Sequence, residues 1–198
     1  MNKIGSEIYG KNLSEMSLKE LWHLFPIILT EHKSYWKDWY TKEAATLKKI
    51  LPADMVVRIS HIGSTAIEEI WAKPIIDILV EVTENSDFRS FKRYLAEAGY
   101  LCMSESSLRM SFNKGYTEHG FAERVFHLHL RRLGDNDELY FRDYLNVHPD
   151  IAGRYEKLKL GLWKQYEHDR DGYTRAKTEF IREFTCKAKK EFPMQYEK

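Results

Sequence analysis

The run Ile75-Ile76-Asp77-Ile78-Leu79-Val80-Glu81-Val82 restricts the fold of this chain more than any other stretch. It is short, β-branched and nearly all apolar, which marks a strand covered on both faces in the middle of a sheet. Asp77 interrupts it. An unpaired carboxylate at such a place costs several kcal/mol, on the order of the penalty for burying an ion, so Asp77 requires a partner or a ligand. By the two-residue period of strands, Asp77, Leu79 and Glu81 share one face. Asp77 and Glu81 are then about 13 Å apart, too far to touch one ion. Glu81 is therefore expected at the strand end, solvated or paired with a lysine.

Upstream, His61-Ile62-Gly63-Ser64-Thr65-Ala66 follows a strand predicted over residues 56–60. A helical turn is predicted from Ser64 through residues 67–71, stopped by Lys73-Pro74. A strand, a tight glycine turn and a helix start present N–H groups and hydroxyls to an anion, so Gly63, Ser64 and Thr65 are candidate phosphate binders. A capped turn with no ligand is the plain alternative. Downstream, Phe126-His127-Leu128-His129-Leu130 alternates, placing both imidazoles on one face. If that strand neighbours Asp77, either His127 or His129 meets the carboxylate, or a metal held by it. Lys73, Arg109, Lys159 and Lys177 are the candidate cations for remaining anionic oxygens. Tyr155/Lys159 and Tyr173/Lys177 are i, i+4 pairs on common helix faces.

Elsewhere the pattern predicts helices over residues 18–25 (Ser17 and Glu20 forming a capping box), 31–51 and 87–98, and strands over 100–104, 108–114 and 124–132. The last two strands are joined through a turn region, 115–120. From residue 137 onward the signal is helical, over 138–146, 150–166 (capped by Asp150) and 173–190. The expected class is α+β, a mixed sheet flanked by helices with a C-terminal helical segment, 137–190, packed beside it. Residues 1–16 read as a loosely ordered lead-in and 17–198 as one domain, a size for which a single core is sufficient.

Lys+Arg 31 against Asp+Glu 30 leaves a net charge of +1, which argues against a general nucleic-acid or membrane-surface binder. Charge is nonetheless segregated. Residues 61–88 carry one lysine against six acids, and 151–198 carry twelve Lys/Arg against eight acids. An acidic centre flanked by basic segments suits a site that holds a cation together with a phosphate. The two cysteines are far apart and form no metal-ligand spacing. With no apolar run of membrane-span length and no signal-peptide layout at the N-terminus, a cytoplasmic location is expected.

HIGSTAI and AKPIIDILVEV, then FHLHL, ELYFRDYLNVHPDIAGRYEKLK and YTRAKTEFI, follow one another in an order that resembles the GrpB family over roughly residues 25–185. That family is similar to the nucleotidyltransferase superfamily, whose pattern is a Gly-Ser turn, two acids spaced by one residue on the next strand, and a third acid on a later strand. The resemblance implies a nucleotidyltransferase-like fold, a nucleoside triphosphate held by the turn, and divalent ions held by the acids. Here Gly63, Ser64 and Asp77 match, Leu79 stands at the second acid, and His127 or His129 stands at the third. One carboxylate with imidazoles, Asp77 with His129, suits a borderline ion such as Mn²⁺ or Zn²⁺ more than a pair of Mg²⁺ ions. The expected activity is binding of a nucleotide or other phosphate ligand with a divalent cation, with transfer of a nucleotidyl group to a hydroxyl or amine. In that reading Asp77, His127 and His129 are the reacting groups. The rival expectation is a non-catalytic nucleotide- or coenzyme-precursor-binding module, since some members of the family are joined to a dephospho-coenzyme A kinase domain.

Overall fold

In the computed structural model, strand β2 (Ile75–Val82) has the bounds that its sequence predicts and lies inside a mixed five-stranded sheet. The structure describes residues 11–196, so the first ten residues of the expected lead-in lie outside it. The other strands are β1 (Val56–Ile62), β3 (Leu101–Glu105), β4 (Arg109–Thr117) and β5 (Gly120–Arg132), in spatial order β1-β2-β5-β4-β3. β2 runs parallel to β5, and the remaining neighbours are antiparallel. Six helices, α1 (Leu18–Leu24), α2 (Tyr35–Ile50), α3 (Phe88–Glu97), α4 (Asp137–Val147), α5 (Pro149–Trp163) and α6 (Arg170–Glu191), flank the sheet among the described residues. The expected α+β class is the one observed.

The pleat of β2 sorts its side chains. Ile76, Ile78, Val80 and Val82 are fully buried with Leu128 and Leu130 of β5, under Trp36 and Leu47 of α2 and Phe91 and Leu95 of α3. Each such side chain contributes about 1.5–3 kcal/mol of burial, which fixes the register of β2 and so the outward direction of Asp77. The opposite face carries Asp77, Leu79 and Glu81, paired in register with His127, His129 and Arg131. Helices α4 to α6 cover that face. They pack on one another through Phe141, Tyr144, Tyr155 and Phe184, and Leu139 of α4 closes on Ile62 and Leu79.

Local signals set most helix starts. Ser17 accepts from the Glu20 amide and the Glu20 carboxylate returns the bond, as expected of the capping box. α2 starts four residues later than expected, at Tyr35, after a non-helical segment that follows the β-bridge between Thr30 and Ala72. Asp150 does not cap α5; His148 holds the cap position and Pro149 the first helical one, where its missing N–H costs nothing. α6 begins three residues early because the Asp169 carboxylate accepts from the Gly172 amide at 2.8 Å. The predicted 115–120 turn shrinks to a hairpin between Thr117 and Gly120. Gly115 lies where the register shifts, at φ 92°, and a Cβ there would sit 2.3 Å from the Arg124 carbonyl. The helical turn expected through residues 67–71 is absent, leaving only the 3₁₀ turn Ser64–Ala66. No helix among the described residues is long and apolar enough to cross a membrane.

Candidate functional site

Parallel pairing of β2 and β5 places Asp77 beside both histidines. His127 Nδ1 is 3.2 Å and His129 Nε2 3.4 Å from the same oxygen, Asp77 Oδ1. His127 Nε2 lies 2.7 Å from the Tyr116 hydroxyl. With the Nδ1–H of His127 donated to the carboxylate, its Nε2 accepts from Tyr116. His129 Nδ1 is buried without a partner among the described residues, which fits a bare acceptor better than an N–H. Two imidazole nitrogens thus converge on one oxygen of an ionised carboxylate. Burial pushes Asp77 up, but the hydrogen bonds from His127 and His129 outweigh it and hold the carboxyl well below its usual range. Burial in turn lowers His127, against the pull of Asp77.

The Gly63 turn is pressed onto this carboxylate. Gly63 has φ +73°, and a Cβ built there would stand 2.3 Å from Asp77 Oδ2. Only glycine permits both the angle and the approach. Ser64 lies beside the Tyr155 hydroxyl at the wall of the cleft. Thr65 is committed to the turn itself, its hydroxyl donating to the Ile75 carbonyl at 3.1 Å and meeting His61 Nε2 at 3.0 Å. Burial lowers that histidine to about 4.

Three lysines complete the site from three elements. Lys73 precedes β2, Lys159 comes from α5 and Lys177 from α6; with Arg170, the first residue of α6, they line a chamber of about 290 Å³ whose sole carboxylate is Asp77. None of these four cations makes an ion pair among the described residues. Instead Lys177 Nζ stands 4.1 Å over the Tyr173 ring, Lys159 Nζ 4.9 Å over Tyr155, and Lys73 Nζ 5.9 Å from the centre of Phe121. Lys159 also donates to the Trp71 carbonyl. Burial, with Arg170 and Lys177 adding, brings Lys73 down to about 7. Burial and the charge of Lys177 bring Lys159 to about 7, and burial brings Lys177 to about 8.

The chamber opens into an outer space of about 580 Å³ bounded by α4 and α6, with Ser64, Asp77, Thr174 and Lys177 common to both. Arg109 reaches only this outer space, where its Nε and Nη2 donate to the two Asp135 carboxylate oxygens at 2.7 Å each. It therefore stands apart from the lysine group. Glu81 is neither solvated nor paired with a lysine. It is fully buried, accepting from Arg58 Nε at 2.6 Å and Asn136 Nδ2 at 2.9 Å, because α4 and its preceding loop close over that end of the strand. Arg170 and Tyr116 are site residues that the sequence reading passed over. A signal for Arg170 exists, since Arg170, Tyr173 and Lys177 are spaced i, i+3, i+7 on one helix face. Tyr116 has none, because its place follows from the hairpin register.

A divalent-ion site of the two-metal kind does not fit these residues. Leu79 is fully buried against Ile62 and Leu139, so the position of a second acid is a dry helix contact. Both histidines are spent on Asp77 Oδ1, and no group of three or more His, Cys, Asp or Glu among the described residues is arranged to hold a metal ion.

The sequence profile of the GrpB protein family matches residues 26–187. Glutamate-rich protein GrpB of Alkalihalophilus pseudofirmus is 36% identical over 164 residues, covering 79% of this chain and 92% of that one. YqkA of Bacillus subtilis is 33% identical over 173 residues, 83% of this chain but 49% of that protein, so this chain spans about half of the longer relative. The crystal structure of GrpB from Enterococcus faecalis superposes with a TM-score of 0.72 at 32% identity, over 83% of this chain and 99% of that one. Likeness to the Cid1 poly(U) polymerase bound to MgATP is weak, 13% identity and a TM-score of 0.44 over 72% of this chain and 44% of that one, and transfers no residue role.

Proposed function

Because this chain belongs to the GrpB family, we propose that it binds a nucleotide or another phosphate-bearing ligand in the cleft between β2, β5 and helices α5 and α6. One observation carries this reading. Lys73, Lys159, Lys177 and Arg170 converge on a chamber with a single carboxylate and no ion pair of their own. Like charges gathered out of water repel, which is why burial pushes the three lysines down toward neutrality, and an anion filling the chamber would relieve that repulsion and restore their charge. Phosphate oxygens are suitable counter-charges for Lys and Arg side chains. The phosphate end would lie innermost. A nucleoside or comparable group would occupy the outer space, against Phe141 and Ile181.

Transfer of a nucleotidyl group to a hydroxyl or amine is the second reading, favoured by Asp77. It is held ionised and borders the cleft beside Gly63, where it would orient an acceptor by its charge rather than take its proton, since so strongly depressed an acid is a weak base. Thermal unfolding with a panel of nucleotides tests binding: a hundred-fold excess over Kd stabilises by about 2.7 kcal/mol, roughly 5–10 °C for a chain of this size. Absence of a shift with every nucleotide and with inorganic triphosphate would overturn the binding reading. Incubation with labelled ATP and candidate acceptors separates transfer, which moves label, from binding, which only retains it.

A further inference from the structure

Resting on that binding reading, we infer that the inner chamber takes a polyphosphate chain free of divalent metal, with Lys73, Lys159, Lys177 and Arg170 supplying the counter-charge that ions supply at carboxylate-based sites. Three observations converge on this. The first is the position two residues after Asp77, where a second acid would be needed. Leu79 fills it, fully buried with Ile62 and Leu139, and α4 seals it from the cleft. An ion approaching Asp77 from that side would have to displace a helix.

Asp77 itself is the second. Its Oδ1 already accepts from two imidazoles and its Oδ2 is crowded by the Gly63 turn. A Mg²⁺ ion at a phosphate site is held by one or two carboxylates together with phosphate oxygens and water, and here the one carboxylate has both oxygens engaged, one by the imidazoles and one by the turn, with no second acid to share the ion.

The third is the charge that remains. Four basic side chains face one carboxylate across about 290 Å³. They come from a loop and two different helices, so their convergence is a product of the tertiary fold rather than of a basic run. A metal-chelated phosphate chain carries less negative charge and brings a dication into repulsion with these groups, whereas a bare di- or triphosphate matches them. A monophosphate would leave part of the set unpaired. The ligand class is therefore a nucleoside di- or triphosphate, or another phosphoanhydride, in its metal-free form.

The test is calorimetric titration of the full chain with ATP and with inorganic triphosphate, the latter having no base to be selected. Each titration is run in EDTA and again in excess Mg²⁺. Binding in EDTA at least as tight as in Mg²⁺ is expected, with Lys177→Gln and Lys73→Gln each weakening it tenfold or more. Lys157→Gln, an exposed lysine on α5, should leave it unchanged. Circular dichroism of each variant checks that the fold is kept. Binding in Mg²⁺ that is lost or falls more than tenfold in EDTA overturns the metal-free site and leaves the phosphate reading standing. Binding in neither buffer overturns both.

Discussion

Lys159→Met isolates the strain that the lysine chamber places on the folded chain. Lys159 is 1% exposed, and burial together with Lys177 lowers its pKa from 10.5 to about 7. Since the folded value is the lower one, the unfolded chain binds more protons between the two, and stability rises with pH across that window. Below pH 7 the full penalty of the buried cation is present; it fades as the pH climbs toward 10.5. At about 1.4 kcal/mol for each unit of pKa, the relief between pH 6 and pH 9 comes to roughly 2–3 kcal/mol. Methionine keeps the length of the side chain and removes the charge. It also leaves the Trp71 carbonyl without its donor, at a cost of about 1–3 kcal/mol that changes little with pH because a neutral amine still donates. Urea unfolding in phosphate-free buffers, followed by tryptophan fluorescence, gives both stabilities by linear extrapolation. Relative to the parent chain, the variant should be more favourable at pH 6 than at pH 9 by that same 2–3 kcal/mol. A stability difference equal at the two pH values would refute the assignment of Lys159 as a cation strained by burial.

Gly63→Ala introduces a Cβ at φ +73° against Asp77; the backbone conformation alone costs about 1–2 kcal/mol, and triphosphate affinity measured calorimetrically should drop with it. Arg58→Met strands the buried Glu81 carboxylate and should destabilise by about 3–5 kcal/mol in urea unfolding. If the loss is under 1 kcal/mol, Glu81 has another counter-ion. Leu79→Asp restores the acid spacing of a metal site but buries the charge against Ile62 and Leu139. Unfolding should show a loss of several kcal/mol, and calorimetry no gain in Mg²⁺ affinity.

Much of the scaffold was legible in the chain. β2 could be bounded to the residue because six apolar side chains in eight positions admit one environment. The capping box over Ser17 and Glu20 and the alternation of His127 and His129 are likewise local patterns that nothing distant overrides. That Asp77 needs a partner also followed from desolvation alone. What the sequence could not supply was the identity of its neighbours: both histidines rather than one, through a parallel register set by the hydrophobic face of the sheet.

Long-range packing decided the rest. Glu81 read as a strand-end bystander because its burial depends on α4 and its preceding loop closing over β2, some 55 residues away at Asn136. Arg109 read as a phosphate ligand because Asp135, which holds it, is brought near only by the turn after β5. The Gly-Ser turn, which looked like the start of a helix, proved to be a single 3₁₀ turn. The positive charge of the site lies with Lys73, Lys159, Lys177 and Arg170 instead, four side chains that singly look like solvated surface. The sequence by itself determined most of the secondary elements, the core face of the sheet and the one carboxylate that cannot stand alone, because those depend on near neighbours and on burial. Only the tertiary structure determined which charges meet across the cleft, because a side chain's electrostatic partners are set by the docking of helices and not by its place in the chain.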